Sequence, residues 1–182
     1  MSLKITFVDL ETTGLNSEEH EIIELAAVKT EVSNDKLVVL YPFECRVQPK
    51  NPVDPFVARL NGYSKSEWET YSLPLEDGLF NVFDMMQDSW HAGSNPKFDE
   101  AFLKKAAKDL HWQYPKLASH HLLDVSTLAF SLLIDQEIDK LNQENVAKYY
   151  GIEGGGHRAM ADVHQCLKIF ARINNLEIIN KY

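Results

Sequence analysis

Near its amino terminus the sequence carries an apolar, β-branched stretch that ends in two acidic residues, and this stretch constrains the fold most. Residues 4–10 read Lys-Ile-Thr-Phe-Val-Asp-Leu and run directly into Glu-Thr-Thr-Gly. Such a composition predicts a strand followed by a turn. Side chains two positions apart project from the same face of a strand. Asp9 and Glu11 are therefore predicted to present both carboxylates to one point at the strand end.

The pattern after this strand predicts a mixed α/β fold. Residues 21–32 and 37–47 are further strand candidates joined by short turns, which indicates an antiparallel meander. From an irregular segment at residues 51–55 onward, helix patterns alternate with a short strand at residues 89–94. Strands first, then alternating elements, favour a mixed sheet flanked by helices.

Helix boundaries follow from capping residues. Asn95 is predicted as an N-cap because Pro96 fits the first helical position, and Gly154-Gly155-Gly156 breaks the chain before the last helix. Helices are predicted to start at the capping box of residues 64–67, to cover residues 75–87, to follow Asn95, and to run from Asp124 through Ile134, from Asn142 to Tyr150 and over about 158–174.

Composition bounds the class of protein. With 182 residues, 45% hydrophobic and 25% charged, we expect a single domain over residues 1–182 with a core at about 4–175. Cys45 and Cys166 lie too far apart in the sequence to form a metal-ligand motif, and so few cysteines favour a reduced, intracellular setting. A single disulfide between them is the alternative. We expect a cytoplasmic location without a membrane, because no apolar run approaches about 20 residues and no signal-peptide layout is present.

The formal net charge of −9 argues against broad phosphate binding by a basic surface. Two divalent cations held by carboxylates would offset about four of these charges. Bound metals, rather than basic residues, would then provide the main attraction for phosphate, and tight sequence-independent duplex binding is not expected.

Each acidic residue alone has two interpretations. Asp9 and Glu11 repel each other unless a cation lies between them, and Mg²⁺ or Mn²⁺ suits oxygen ligands. Alternatively, one is solvated and the other caps the turn. Asp99 can simply complement a helix dipole, although the neighbouring Phe98 and Phe102 make an idle carboxylate costly there.

His157 and Asp162 lie five positions apart, which places them roughly 140° apart on a regular helix. They can converge only if the histidine precedes the helix and the aspartate lies within it. The glycines before His157 permit such a turn. The alternatives are a surface loop histidine and an ordinary first-turn acid.

Taken together, these acids resemble a known family. Residues 7–15, 94–103 and 157–162 are similar to the three motifs of the DEDDh family of 3′→5′ exonucleases, which includes the proofreading epsilon subunit of bacterial DNA polymerase III, ribonuclease T and oligoribonuclease. Weaker similarity covers residues 59–64, 124–129 and 141–152. The resemblance implies a ribonuclease H-like fold.

The resemblance also implies a mechanism. Two Mg²⁺ or Mn²⁺ ions would bind Asp9, Glu11, Asp99 and Asp162, and His157 would act as the general base, since imidazole exchanges protons near neutral pH. The expected products are nucleoside 5′-monophosphates released from single-stranded or frayed 3′ ends. Substrate contacts are expected from Thr12, Leu15, Asn95 and Phe98, although Phe98 is equally explained as a core aromatic.

Two departures from the family pattern leave the substrate open. Ser94 stands where a histidine is frequent, and Asn61 and Tyr63 stand where histidine and isoleucine are common. DNA and RNA, a polymerase or repair partner, and a monomer or homodimer all remain possible at this point.

Two competing hypotheses belong to other classes. Asp9-Leu10-Glu11-Thr12-Thr13 approaches the Asp-x-Asp-x-Thr motif of haloacid-dehalogenase-type phosphatases, but its second acid is a glutamate, one methylene too long. A non-catalytic docking module with an exonuclease fold is the other alternative, although such copies normally lose a carboxylate.

Overall fold

A twisted sheet organises the chain. The computed structural model describes residues 2–181, apart from the side chains of Leu117 and Ser119. Within these residues the strands are β1 (Leu3–Thr12), β2 (Ile22–Ser33), β3 (Lys36–Val47), β4 (Ser72–Leu73), β5 (Trp90–Gly93), β6 (Leu122–Asp124) and β7 (Glu177–Asn180).

The sheet order is β4-β3-β2-β1-β5-β6, and β7 pairs with another part of β3. β1, β2 and β3 form an antiparallel meander, whereas β5 pairs parallel with β1 and β6 pairs parallel with β5. β1 is thus central, with hydrogen-bonded neighbours on both sides. The predicted mixed sheet and meander are confirmed.

Helices cover the sheet. In the described residues they are α1 (Pro55–Asn61), α2 (Lys65–Tyr71), α3 (Leu75–Met86), α4 (Pro96–Asp109), α5 (Lys116–His120), α6 (Val125–Leu128), α7 (Phe130–Ile134), α8 (Gln143–Tyr150) and α9 (Ala159–Ile173).

Each face of the sheet has its own apolar core, and β1 contributes to both. Ile5 and Phe7 point to the face covered by α9, where Phe7 packs edge-on against Phe170 at 5.5 Å between ring centroids. Val8 and Leu10 point to the opposite face, under α3 and α4. This alternation carries Asp9 onto the α9 face, because it continues the row of Ile5 and Phe7.

All four predicted N-cap residues stand directly before a helix, but only two of them cap it with a side-chain hydrogen bond. Asp124 accepts hydrogen bonds from the first amides of α6, and Asn142 does so for α8. Asn95 instead has a left-handed backbone (φ 57°) and makes no side-chain cap, and Ser64 precedes α2 without a capping hydrogen bond. Residue type alone could not separate these cases, since the turn conformation decides whether a side chain reaches the helix.

Other differences arise where local pattern is weak. The helix expected from Asp124 through Ile134 is interrupted at Ala129, which divides it into α6 and α7. The segment expected to be irregular after residue 51 contains α1, with Asp54 as its N-cap and Pro55 at its first position. The short strands β4, β6 and β7 were not predicted, because their pairing partners lie far away in sequence.

Two expectations drawn from composition can be compared with the structure. Cys45 and Cys166 are both buried and unpaired, and they belong to the cores on opposite faces of the sheet. Among residues 2–181, no helix is both long enough and apolar enough to cross a membrane.

Replacing Phe7 with alanine is expected to destabilise the protein by about 3–5 kcal/mol, because a fully buried aromatic ring is lost next to Phe170. The matched control is Phe80→Ala on α3, where the ring is 65% exposed and the cost should stay below about 1 kcal/mol. Urea unfolding of both variants measures the difference. Equal losses would contradict the assignment of Phe7 to the core that supports the end of β1.

Candidate active site

Three carboxylates converge at the end of β1. Asp9 and Glu11 project from the α9 face of the strand, and Asp162 comes from the first turn of α9. Each offers an oxygen, and these oxygens all lie within 4.8 Å of one another. We call these three residues the carboxylate group.

Asp99 approaches the same strand end from α4, the helix whose apolar residues pack on the face of the sheet opposite α9. It lies in the first turn of α4, is 2% exposed, and its Oδ1 accepts the backbone N–H of Leu10 at 3.0 Å. Leu10 stands between Asp9 and Glu11 in the sequence, so this bond holds the Asp99 carboxylate close to that part of β1. Burial raises the pKa of Asp99 above its ordinary value, although the N–H donors oppose the shift.

The electrostatics of the group are unbalanced. Burial, and then the charges of Asp99 and Asp162, raise the pKa of Asp9 well above its ordinary value. Burial, followed by Asp162 and Glu24, raises the pKa of Glu11 to about 8. Negative charge is thus concentrated where little positive charge balances it. A group of this kind is stabilised by protons or by cations.

His157 stands outside the last helix. It is exposed, has φ 58°, and is separated by Arg158 from the start of α9. Asp162 Oδ2 accepts the backbone N–H of Arg158 at 3.1 Å. Burial raises the pKa of Asp162 above its ordinary value, and this hydrogen bond and then the charge of His157 oppose the shift. The backward hydrogen bond from Arg158 to Asp162 brings the histidine close, despite the five-residue spacing.

A network of amides holds Asp162 from its other side. Gln143 Nε2 donates to the carbonyl oxygen of Asp162 at 3.0 Å, to its Oδ1 at 3.3 Å and to Gln165 Oε1 at 3.1 Å. Gln165 Nε2 in turn donates to the carbonyl oxygen of Gly154 at 2.7 Å. The network links the helices α8 and α9 to the glycine turn before His157.

Sequence reasoning missed a fourth acid on the α9 face. Glu24 is paired directly with Glu11 across β1 and β2, is 3% exposed, and binds Arg158. The available signal was a lone glutamate inside the apolar run Ile-Ile-Glu-Leu-Ala-Ala-Val of β2. Finding its partner required the strand register and the position of α9. Gln143 and Gln165 were missed for the same reason.

The four expected substrate residues lie in different settings. Leu15 is 86% exposed just beyond β1, and Thr12 is buried with its hydroxyl donating to the carbonyl oxygen of Gly14. Asn95 is exposed, and its backbone N–H donates to Asp124. Phe98 is half-buried against Phe102, 5.0 Å between centroids, and packs at the edge of the core under α4.

The positions that depart from the family pattern have structural partners. Asn61 is buried, its side-chain amide donates to the carbonyl oxygen of Thr12 at 3.4 Å, and its oxygen accepts the N–H of Tyr63. Ser94 shares a hydrogen bond with Ser126 at 2.8 Å. Asn61 therefore ties the end of α1 to the end of β1.

The residues present fit a divalent cation of the hard, oxygen-binding kind. The carboxylate group offers only carboxylate oxygens as ligands, and after burial the charge of Asp162 raises the pKa values of both Asp9 and Glu11. A bound Mg²⁺ or Mn²⁺ would remove that penalty. Asp99 lies outside the group of oxygens that meet within 4.8 Å, but its charge is the largest of those that raise the pKa of Asp9, so its carboxylate lies beside the same strand end.

Metal-free protein is expected to lose stability as the pH rises from about 5 to about 8. Unfolded, Glu11 titrates near its ordinary pKa of about 4.3, whereas in the folded state its pKa is about 8. Between these values the native state binds more protons than the unfolded state, so raising the pH favours unfolding. Glu11→Gln should make the slope shallower and stabilise metal-free protein at pH 8 by roughly 1–3 kcal/mol.

Urea unfolding in EDTA over this pH range measures the effect. Glu19→Gln, at an exposed acid in the loop after β1, is the control and should keep the wild-type slope. A wild-type slope in Glu11→Gln would show that Glu11 does not carry the raised pKa.

Gly155→Ala is expected to weaken metal binding. A Cβ at this position would lie 2.7 Å from Gln165 Oε1 and 3.0 Å from Asp162 Oδ1. Since both atoms are held by Gln143, the methyl group must disturb the network around Asp162. Titration calorimetry with Mn²⁺ should show a loss of about tenfold in affinity.

Gly151→Ala is the matched control for this variant. Gly151 has a similar left-handed backbone, φ 66° against 79° for Gly155, but a Cβ there meets nothing within 4 Å. Both variants should lose about 1–2 kcal/mol of stability from the backbone strain. Only Gly155→Ala should also lose metal affinity, and equal affinities would argue against the role of the network.

Comparison with known proteins places this geometry in a family. A family model described as "Exonuclease" matches residues 6–170. The DNA polymerase III PolC-type of Caldanaerobacter subterraneus subsp. tengcongensis is 30% identical over 175 residues, covering 94% of this chain and 12% of that protein. The 3′-5′ exonuclease DinG of Staphylococcus aureus is 28% identical over 165 residues, covering 89% of this chain and 17% of that protein.

Solved structures agree on the fold. E. coli exonuclease I in complex with a dT13 oligonucleotide superposes with a TM-score of 0.78 at 18% identity, covering 94% of this chain and 41% of that chain. The chain spans less than half the length of these relatives and neighbours. The family match and the ribonuclease H-like sheet give no support to the phosphatase alternative. The chain belongs to the exonuclease family.

Proposed function

We propose that this protein is a divalent-metal-dependent 3′→5′ exonuclease of the DEDDh type. It would hydrolyse phosphodiester bonds at single-stranded or frayed 3′ ends and release nucleoside 5′-monophosphates. The observation that carries the proposal is the meeting of Asp9, Glu11 and Asp162 within 4.8 Å, with Asp99 beside them and an exposed His157 at the start of α9. Membership of the exonuclease family supports it.

The carboxylate group, with Asp99, would hold two Mg²⁺ or Mn²⁺ ions. When bound, the metals would neutralise charge on the phosphate and make the attacking water more acidic. The chain's own acids serve this arrangement differently. Asp9 and Glu11 give oxygens from a rigid central strand, whereas Asp162 is oriented by the backbone N–H of Arg158 and by Gln143.

His157 would act as the general base. A ring nitrogen takes a proton from the attacking water while the water oxygen bonds to phosphorus and the bond to the leaving 3′ oxygen breaks. Its exposed position and left-handed backbone support a side chain that is free to approach a bound substrate. The leaving 3′ oxygen would take a proton from solvent, and the imidazolium would return its own proton to solvent before the next cycle.

The substrate proposal rests on charge and exposure. A net charge of −9 disfavours wide contact with duplex phosphates, so we propose single-stranded or frayed ends as the substrate. Leu15, exposed just beyond β1, offers an apolar surface to a terminal base. Thr12 ends β1 and Asn95 follows β5, which pairs parallel with β1, so both lie at neighbouring strand ends. Phe98 contributes less, because it already packs against Phe102.

The names of the relatives favour DNA over RNA as the substrate and a polymerase as the partner. Those names are a polymerase III of the PolC type, a DinG 3′-5′ exonuclease, and an exonuclease I bound to dT13. We propose that the chain works at DNA ends as a monomer or homodimer. Rates on RNA of the same sequence provide the comparison.

Wild-type protein with Mg²⁺ or Mn²⁺ is expected to shorten a 5′-labelled single-stranded DNA one nucleotide at a time and to release a labelled mononucleotide first from a 3′-labelled one. EDTA should abolish both. Asp9→Ala should lower the rate by at least about 10³-fold and His157→Ala by about 10²–10⁴-fold, because each removes a group that acts on the reacting atoms.

Asp35→Ala, in the exposed turn between β2 and β3, is the matched control and should keep the wild-type rate. Chromatography identifies the released nucleotide as a 5′- or 3′-monophosphate. Absence of metal-dependent cleavage on single-stranded DNA, mismatched duplex ends and RNA alike would contradict the proposal and leave the docking-module alternative. Release of 3′-monophosphates would contradict the mechanism.

A further inference from the structure

Glu24 is a buried acid that stands beside the carboxylate group without belonging to it. It faces Glu11 across the β1–β2 ladder and is 3% exposed. Its charge raises the pKa values of Asp9 and Glu11. A buried carboxylate among other carboxylates is unfavourable unless it is fully hydrogen-bonded. The contacts of Glu24 show what the chain gains from it.

Both oxygens of Glu24 are occupied by two consecutive residues. Oε1 accepts Arg158 Nη2 at 2.9 Å, and Oε2 accepts Arg158 Nε at 3.2 Å together with the backbone N–H of Ala159 at 3.1 Å. The two-point contact with a planar guanidinium fixes direction as well as distance. Glu24 thus ties the rigid strand β2 to the start of α9.

Arg158 is therefore held at both ends. Its side chain is fixed by Glu24 and passes the ring of Trp68 at 6.0 Å, while its backbone N–H donates to Asp162. The next residue, Ala159, is fully buried in the core. The preceding residue, His157, is exposed and has a left-handed backbone. Arg158 is thus anchored to both β2 and α9, and His157 is the residue directly before this anchor.

We propose that Glu24 and Arg158 form a positioning pair that sets where His157 stands relative to the carboxylate group. The inference rests on the proposed exonuclease function, in which His157 is the general base. Neither member of the pair needs to touch substrate. Glu24 fixes Arg158, and Arg158 gives His157 a stationary pivot, so that the imidazole reaches the attacking water in one orientation.

A simple contribution to stability is the competing explanation, and the two differ in their coupling to His157. If Glu24 acts through His157, removing Glu24 has no further effect once the imidazole is gone. If Glu24 only stabilises the fold or the carboxylate group, its loss costs the same in either background. A double-mutant cycle separates the two.

The experiment compares wild type, Glu24→Gln, His157→Ala and the double variant with Mn²⁺ on single-stranded DNA. Glu24→Gln should lower kcat by about 10–100-fold with KM within about twofold, because misplacing a reacting group affects the chemical step. In the His157→Ala background the same change should lower kcat by less than about twofold. Equal losses in both backgrounds would overturn the inference.

Two further variants refine the test. Arg158→Lys keeps the charge but not the two-point contact, so it should follow Glu24→Gln, including its coupling to His157. If Glu24→Gln fails to fold, Arg158→Lys carries the cycle instead. Glu44→Gln is the matched control, because Glu44 is an exposed acid that influences Arg158 by charge. It should keep the wild-type kcat, and a loss as large as that of Glu24→Gln would overturn the inference.

Hydrogen exchange in EDTA gives a readout that needs no activity. Amides of residues 154–162 should exchange severalfold faster in Arg158→Lys than in wild type, while those of β1 stay unchanged. Unchanged exchange at residues 154–162 would overturn the inference. Wild-type protein without nuclease activity would instead defeat the proposed function, and the exchange result would still decide whether the pair fixes this segment.

Discussion

Repulsion among acidic side chains at the end of β1 is the constraint on which the site depends. Asp9, Glu11, Asp99, Asp162 and Glu24 meet at one strand end, and burial is the largest cause of the raised pKa of the first four. Carboxylates that repel one another stay close only where the surrounding structure holds their backbone in place. β1 meets that requirement, because it is central in the sheet and contributes apolar residues to both cores.

Hydrogen bonds divide these acids into two kinds. Asp99, Asp162 and Glu24 accept N–H groups from Leu10, from Arg158, and from Arg158 with Ala159, so their orientation is set before any ligand arrives. The pKa values of Asp9 and Glu11 are instead raised by burial and then by neighbouring negative charges. The three hydrogen-bonded acids are held in fixed orientations. Asp9 and Glu11 supply the unbalanced negative charge that attracts a cation. Preorganised orientation with unbalanced charge is the combination that a metal-dependent site requires.

Local pattern in the sequence was sufficient for the parts of the site that lie on one element. The alternation of β1 places Asp9 and Glu11 on one face, and the glycines before His157 indicate a turn. It was insufficient where the contact depends on register or on distant packing, as for Glu24, Gln143 and Gln165. Asn95 and Asp124 show the limit for caps, since both are good N-cap residues by type. In the folded chain Asn95 adopts a left-handed backbone. Asp124 accepts the backbone N–H of Asn95 as well as the first amides of α6.

The departures from the family pattern have a narrower meaning in the structure than in the sequence. Asn61 is buried and binds Thr12 and Tyr63, and Ser94 pairs with Ser126, so these polar atoms already have partners within the fold. A substitution at Asn61 or Ser94 would first remove the hydrogen bonds that join these segments. Under the proposed function, contact with a substrate would fall instead to side chains that stay exposed near the end of β1, such as Leu15, which is 86% exposed. Because an apolar surface recognises the face of a base rather than its edge or its sugar, a site of this proposed kind would accept a terminal nucleotide with little regard to its sequence.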